Sequence, residues 1–360
     1  MYRIKFSQKM NNIKKIISLL LITTVLFACN KKVPQSDKEK DFIDRWATLK
    51  EVEIRGYRYR DKTGKIVVKP QFTYAGDFTD GLARVRIGNK KTGKFGYIDK
   101  TGKFVINPLF DDAGDFADGL TRVRIGDWET GKCGYIDKTG KIIIKLQFDN
   151  AYDFADGLAI VYIGGKYGYI DKTGKFVTNP QFSFAYNFAD GLARVMIGDK
   201  FGYIDKTGKF VINPQFSDAY DFADGLASVM IVDKETRKWG YIDKTGKIVI
   251  KPQFYWANDF ADGLTSLYIG DKETGKWGYI DKTGKIVIKP QFDWTYGFAD
   301  GLASVMIVDK EIRKWGYIDK TGKIVIKPQF DWVEEFADGL AAVRIGDKWE
   351  YIDKTGKIVF

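Results

Sequence analysis

From residue 56 onward the chain is a succession of short apolar runs broken by polar turns. One stretch shows the pattern: Trp239-Gly240-Tyr241-Ile242-Asp243, then Lys247–Phe254 (KIVIKPQF), then Leu264–Ile269 (LTSLYI), separated by D-K-T-G and by D-F-A-D-G. Short runs rich in Val, Ile, Tyr and Trp and bounded by Gly, Asp and Pro predict strands. In D-K-T-G, Asp243 is placed to accept N–H groups of its own turn and Gly246 to take a positive φ, so the first two runs are expected to form a hairpin. Pro252 has no N–H to offer a ladder and is expected to end the second run. The third run is expected to pair with the following W-G-Y-I-D. In that strand Trp239 and Tyr241 should face one way and Ile242 the other, with Gly240 leaving room for a neighbouring ring. Ile248-Val249-Ile250 reads as apolar on both faces, and burial on both faces argues for small sheets stacked face to face.

The pattern repeats. D-K-T-G begins at Asp61, Asp99, Asp137, Asp171, Asp205, Asp243, Asp281, Asp319 and Asp353, at spacings of 34 or 38 residues. F-(A/T)-D-G-L begins at Phe78, Phe116, Phe154, Phe188, Phe222, Phe260, Phe298 and Phe336, so eight full units precede a partial ninth. The four-residue difference is confined to one loop, I-G-D-K-E-T-G-K-W-G-Y against I-G-D-K-F-G-Y. The reading is an all-β repeat protein of about eight stacked three-stranded meander units forming an open β superhelix or solenoid, with a closed β-propeller as the alternative. The surplus ninth hairpin favours the open form.

W/F-G-Y-I-D-K-T-G-K-I-V-I-K-P-Q-F followed by F-A-D-G-L-A resembles the WG-repeat (KWG) family of tandem β repeats in bacterial proteins, over about residues 56–360. Units of the first half use Phe95, Cys133, Tyr167 and Phe201 where Trp is typical, and Glu350 replaces the last glycine. The resemblance implies a non-catalytic, interaction-mediating array and brings no catalytic residues with it.

The N-terminus reads as an address. Lys14 and Lys15 precede an apolar stretch from Ile16 to Phe27, too short to span a bilayer that needs roughly 20 residues, so a signal peptide is expected. Leu26-Phe27-Ala28-Cys29 resembles a bacterial lipobox, which implies cleavage before Cys29, a lipid on its sulfur and attachment to a membrane. Asn30, where an inner-membrane protein typically carries Asp, by resemblance directs the expectation to the outer membrane of a two-membrane envelope. The division expected is 1–28 signal peptide, 29–50 lipid-anchored polar tether and short helix, and 51–360 repeat domain.

Composition narrows the chemistry. There is no histidine among the 360 residues, which excludes Ser-His-Asp and Cys-His machinery and His-ligated metals. The formal charge of +11 owes five cations to Arg3, Lys5, Lys9, Lys14 and Lys15, and the rest is spread along the chain, which gives no footprint for nucleic acid. Cys133 takes an aromatic's core slot. The turn acids lack the dense oxygen pattern of a calcium loop, and no cofactor is expected.

What varies between units is more informative. On the third strand, Ala83, Val85 and Ile87 and their counterparts keep their character and are expected in the core. The alternate positions vary: Arg84, Arg122, Ile160, Arg194, Ser228, Ser266, Ser304, Ala342, and Arg86, Arg124, Tyr162, Met196, Met230, Tyr268, Met306, Arg344. So does the second position after the P-x-F phenylalanine: Tyr74, Asp112, Asn150, Phe184, Asp218, Trp256, Trp294, Trp332. Two candidate binding patches follow, the arginines Arg84, Arg86, Arg122 and Arg124, and the tryptophans Trp256, Trp294 and Trp332. The function expected is a non-catalytic cell-envelope lipoprotein that binds a protein or polysaccharide partner. The alternatives are a structural spacer and a carboxylate-based envelope hydrolase, since glycoside hydrolysis needs two carboxylates and no histidine.

Overall fold

The computed structural model describes residues 51–53, 56–60, 66–233, 236–270 and 274–359. The expected signal peptide, Cys29, tether and short helix lie outside the described residues. The regular elements described are all strands, in nine small antiparallel sheets of three or four strands. The chain divides into two units, Met1–Pro180 with four sheets and Gln181–Phe360 with five.

One sheet of the second unit stands for the rest. Its strands lie in the order Asp218–Ala219, Leu226–Asp233, Thr236–Asp243, Ile248–Phe254. The D-K-T-G hairpin forms as expected: Asp243 Oδ1 accepts from Thr245 N at 2.9 Å, Thr245 Oγ1 at 2.6 Å and Lys247 N at 3.1 Å, while Gly246 takes φ +85°. Leu226–Asp233 pairs along its length with the next arm, from Leu226↔Asp243 to Asp233↔Thr236.

Three expectations are corrected. First, six of the nine sheets have a fourth strand. The chain does not turn back after P-x-F but bends at a single residue and goes on extended, pairing with the next sheet; Ser217 N–H at such a bend already donates to Met230 O at 3.2 Å. Each bent segment thus closes one sheet with its first half and opens the next with its second. Second, Pro252 does not end its strand, which runs to Phe254. Tyr241 pairs with Ile250 and Trp239 with Phe254, so a two-residue step opposes a four-residue step. Pro252 sits in that bulge, where a missing N–H costs no ladder bond. The bulged backbone folds over Gly240, whose hypothetical Cβ would lie 2.6 Å from Ile250 O and 2.7 Å from Pro252 N. Backbone, not a neighbouring ring, is what the glycine of W-G admits. Third, the strand after D-K-T-G is not buried on both faces. Ile250 is buried, but Ile248 and Val249 are exposed, because this strand is the sheet's edge and only Ile250 and Phe254 reach the neighbouring sheet.

The two inner strands do bury both faces. Trp239, Tyr241, Ile250 and Phe254 pack with Phe260, Leu267 and Ile280 of the following sheet, whereas Ala227, Val229 and Ile242 pack with Tyr203, Ile212 and Phe216 of the preceding one. Each core therefore lies between two consecutive sheets. Polar contacts reinforce it. Tyr241 Oη donates to Asn258 O at 2.8 Å, and Tyr97, Tyr135, Tyr203, Tyr279 and Tyr317 each reach the carbonyl 17 residues on in the same way. Asp224, at φ +55°, accepts from Gly263 N of the next F-A-D-G at 2.8 Å and faces Lys282 Nζ at 3.7 Å.

Candidate functional site

The variable positions are placed by this architecture, and it separates them sharply. The residue after the conserved-character alanine of the inner strand points between sheets, so its counterparts are interior, not surface as expected. Ile160, Ser228, Ser266, Ser304 and Ala342 are buried. Where arginine stands there, it is held by the next sheet. Arg84 donates to Ala113 O and to Tyr74 Oη at 2.9 Å, with Asp115 Oδ1 3.3 Å from its Nε. Arg122 pairs with Asp112 at 2.6 Å and faces Asp153 at 3.5 Å. In the second unit Arg194 pairs with Asp221 at 3.3 Å and lies 3.8 Å from the Tyr186 ring centre. Burial pushes the Asp153, Asp221 and Asp259 carboxyls up, and the arginines pull Asp153 and Asp221 back down.

The second arginine pair is also engaged. Arg124 is 2% exposed and donates to Gly131 O at 3.3 Å, Asp149 O at 3.1 Å and Asn150 Oδ1 at 3.2 Å. Arg86 donates to Thr73 Oγ1 at 3.3 Å and lies 5.5 Å from the Phe95 ring centre. Arg124 is thus removed from the candidate surface by burial, and the other three are committed to internal partners. Their acids are supplied by the next repeat, which is why a strand read alone presents them as free.

The tryptophans behave differently. Trp256, Trp294 and Trp332 are 51%, 46% and 41% exposed. Trp294 pairs in register with Met306, which pairs with Trp315; Trp332 pairs with Arg344, and Arg344 with Trp349. For Trp256 the bridge Ala257↔Leu267 brings Tyr268 alongside, and Tyr268 pairs with Trp277. From sheet to sheet, Trp294 leans on Trp277 with ring centres 5.5 Å apart and Trp332 on Trp315 at 5.8 Å. The row lies wholly in the second unit. Sequence reasoning passed over Trp128, which is 72% exposed with the Arg124 guanidinium 4.6 Å from its ring centre. Its signal was a Trp in place of Lys within G-D-K-E-T-G-K.

Among the described residues no group of three or more Cys, Asp or Glu is placed to hold a metal ion. Cys133 is buried, and burial raises its thiol pKa.

Residues 57–90, 95–127, 134–167, 167–201, 201–234, 239–272, 277–310 and 315–349 match the WG containing repeat. No curated protein matches the chain. Among solved structures, the tricorn protease is 14% identical over 87% of this chain and 39% of its own, with a TM-score of 0.25. The β-propeller domain of the Trilobed protease from Pyrococcus furiosus is 11% identical over 80% of this chain and 97% of its own, at 0.34. Hsv2 of Kluyvelomyces marxianus is 8% identical over 71% and 96%, at 0.36.

Proposed function

Since the chain belongs to the WG containing repeat family, we propose that it is a non-catalytic binding array of the cell envelope, lipid-anchored at Cys29, whose exposed aromatic row meets a polysaccharide or protein partner. The positions common to the repeats are used up in folding: the tyrosine hydroxyl on the next sheet's carbonyl, the turn aspartate on its own N–H groups, the glycine beneath the bulge. The observation that carries the reading is the recurrence of an exposed indole at one register position in three consecutive repeats, at Trp256, Trp294 and Trp332. Indole faces left in water are a cost unless something covers them. A carboxylate hydrolase would need two free acids opposed across a cleft, and Asp115 and Asp221 are instead paired with Arg84 and Arg194. The lipobox Leu26–Cys29 and the polar stretch behind it support the anchor, and no helix among the described residues is long and apolar enough to cross a membrane.

Two experiments test this. The immobilised chain should retain a component of envelope extracts that the triple variant Trp256→Ala, Trp294→Ala, Trp332→Ala does not retain; equal retention by both rejects the aromatic row as the binding face. A palmitate analogue fed to cells should label the protein and leave Cys29→Ala unlabelled, and persistent label in that variant would overturn the anchor.

A further inference from the structure

We infer that the ligand of the aromatic row is an uncharged polysaccharide chain laid across successive repeats of the second unit, each exposed indole stacking on one pyranose face. The inference rests on the binding reading above and narrows it to one ligand class.

Three features point this way. The first is the form of the apolar surface. It is not a continuous aliphatic patch of the kind that seats a protein helix or a bilayer, but separate indoles at equivalent sites. Trp294 is backed by Trp277, and Trp332 by Trp315, itself stacked with Tyr296 at 5.3 Å and 15°. A ring held from behind keeps its orientation and offers its outer face, which suits the flat C–H face of a sugar. The second is the charge around it. Asp293 precedes Trp294 and binds Lys276; Asp331 precedes Trp332 and binds Lys314 at 2.6 Å. At Trp256 the neighbouring polar group is neutral, Asn258, whose Oδ1 accepts from the indole N–H at 3.1 Å. The charges beside Trp294 and Trp332 are thus compensated in place, while carboxylate oxygens and lysine N–H groups stay at the rim as acceptors and donors for hydroxyls. An acidic polymer would find no uncompensated cationic row, Arg344 opposite Trp332 being its one arginine. The third is periodicity. Trp256, Trp294 and Trp332 are each 38 residues apart and take the same register, so a ligand with its own repeat engages two or three sites at once, and weak single contacts add into useful affinity.

The test is affinity electrophoresis of the full chain, purified in detergent, through gels containing hydroxyethylcellulose, dextran or galactomannan, with polygalacturonate as an acidic control. Retardation is expected on at least one neutral polymer, unchanged by 0.5 M salt. Each single Trp→Ala change should weaken it about tenfold, in line with roughly 1.4 kcal/mol per stacked ring, and the triple change should abolish it. Trp294→Phe should recover most of what Trp294→Ala loses, and matching circular dichroism and unfolding midpoints would show that the variants fold. Migration unaffected by all three neutral polymers, retardation that the triple variant retains, or retardation confined to polygalacturonate overturns the inference. If the triple variant still loses a protein captured from envelope extracts while no neutral polymer retards the chain, the ligand class falls and the binding row stands. If neither capture nor retardation depends on the tryptophans, both fall.

Discussion

Trp277 and Gly278 sit side by side on one strand and resist replacement for opposite reasons. Trp277 is 5% exposed and packs against Tyr268 and Trp294, so Trp277→Ala should cost about 3–5 kcal/mol as a large-to-small core change. Gly278→Ala adds one carbon, but that carbon would stand 2.6 Å from Ile288 O and 2.8 Å from Pro290 N. Both obstacles are backbone, so the bulge must open, at a cost near the top of the about 1–3 kcal/mol of overpacked sites. Glu350 holds the equivalent place in the last sheet without conflict, since no bulged strand lies over it among the described residues; only the bridge Ile352↔Ile358 follows. Glu350→Ala should therefore shift stability by less than about 0.5 kcal/mol. Urea unfolding of the three variants checks this order, and a wild-type midpoint for Gly278→Ala would refute the bulge as the reason for the glycine. The aromatic slot was legible in the sequence because its residue type shows it. The reason for the glycine was not, because it depends on a pairing across the hairpin that only the register reveals.

Turns and strands differ in the same way. D-K-T-G was legible in full, since every bond of the turn is made within five residues. The bulge, the fourth strand and the engagement of the arginines were not, because Asp115 lies 31 residues beyond Arg84 and belongs to the next sheet. The turns also carry a pH dependence. Asp99, Asp137, Asp171, Asp205, Asp243, Asp281, Asp319 and Asp353 are all held below the usual carboxylate range, first by the hydroxyl of the threonine two residues on and then by backbone N–H groups. An acid whose folded pKa is lowered stabilises the fold above its unfolded value, about 3.9, and loses that contribution as pH falls through the folded value. Asp153, Asp221 and Asp259 run the other way, since burial raises them; their contribution is present at low pH and is lost as pH rises through their folded values. Eight turns against three buried acids predict a net loss of stability below about pH 4. The urea midpoint should drop between about pH 5 and pH 3, and a midpoint that rises over that interval would mean the buried acids dominate.

At the scale of the molecule, contacts between repeats are local in sequence and identical in kind, which makes the array editable. The staple from Asp224 to Gly263 N recurs from Asp118 to Gly157, Asp190 to Gly225 and Asp300 to Gly339, and Gly284 and Gly322 of successive turns lie on Ile250 and Ile288. Deleting Trp277 to Lys314 joins Lys276 to Trp315, so Leu264–Ile269 meets a W-G-Y-I-D in its old register, Leu267 opposite Gly316 instead of Gly278. The turn glycine Gly322 then takes the place of Gly284 over Ile250, and Gly339 that of Gly301. Every interface remaining is one the chain already makes, and stability should fall only by the interfaces removed. The shortened chain is expected to stay soluble, keep its β circular dichroism and unfold in one cooperative step at a slightly lower midpoint. A deletion of the same length begun half a repeat later, which sets an edge strand against an edge strand, should not fold. Aggregation of the in-phase deletion would mean that all repeats are needed at once, as in a closed ring, and would reject the nearest-neighbour array inferred from the repeat pattern.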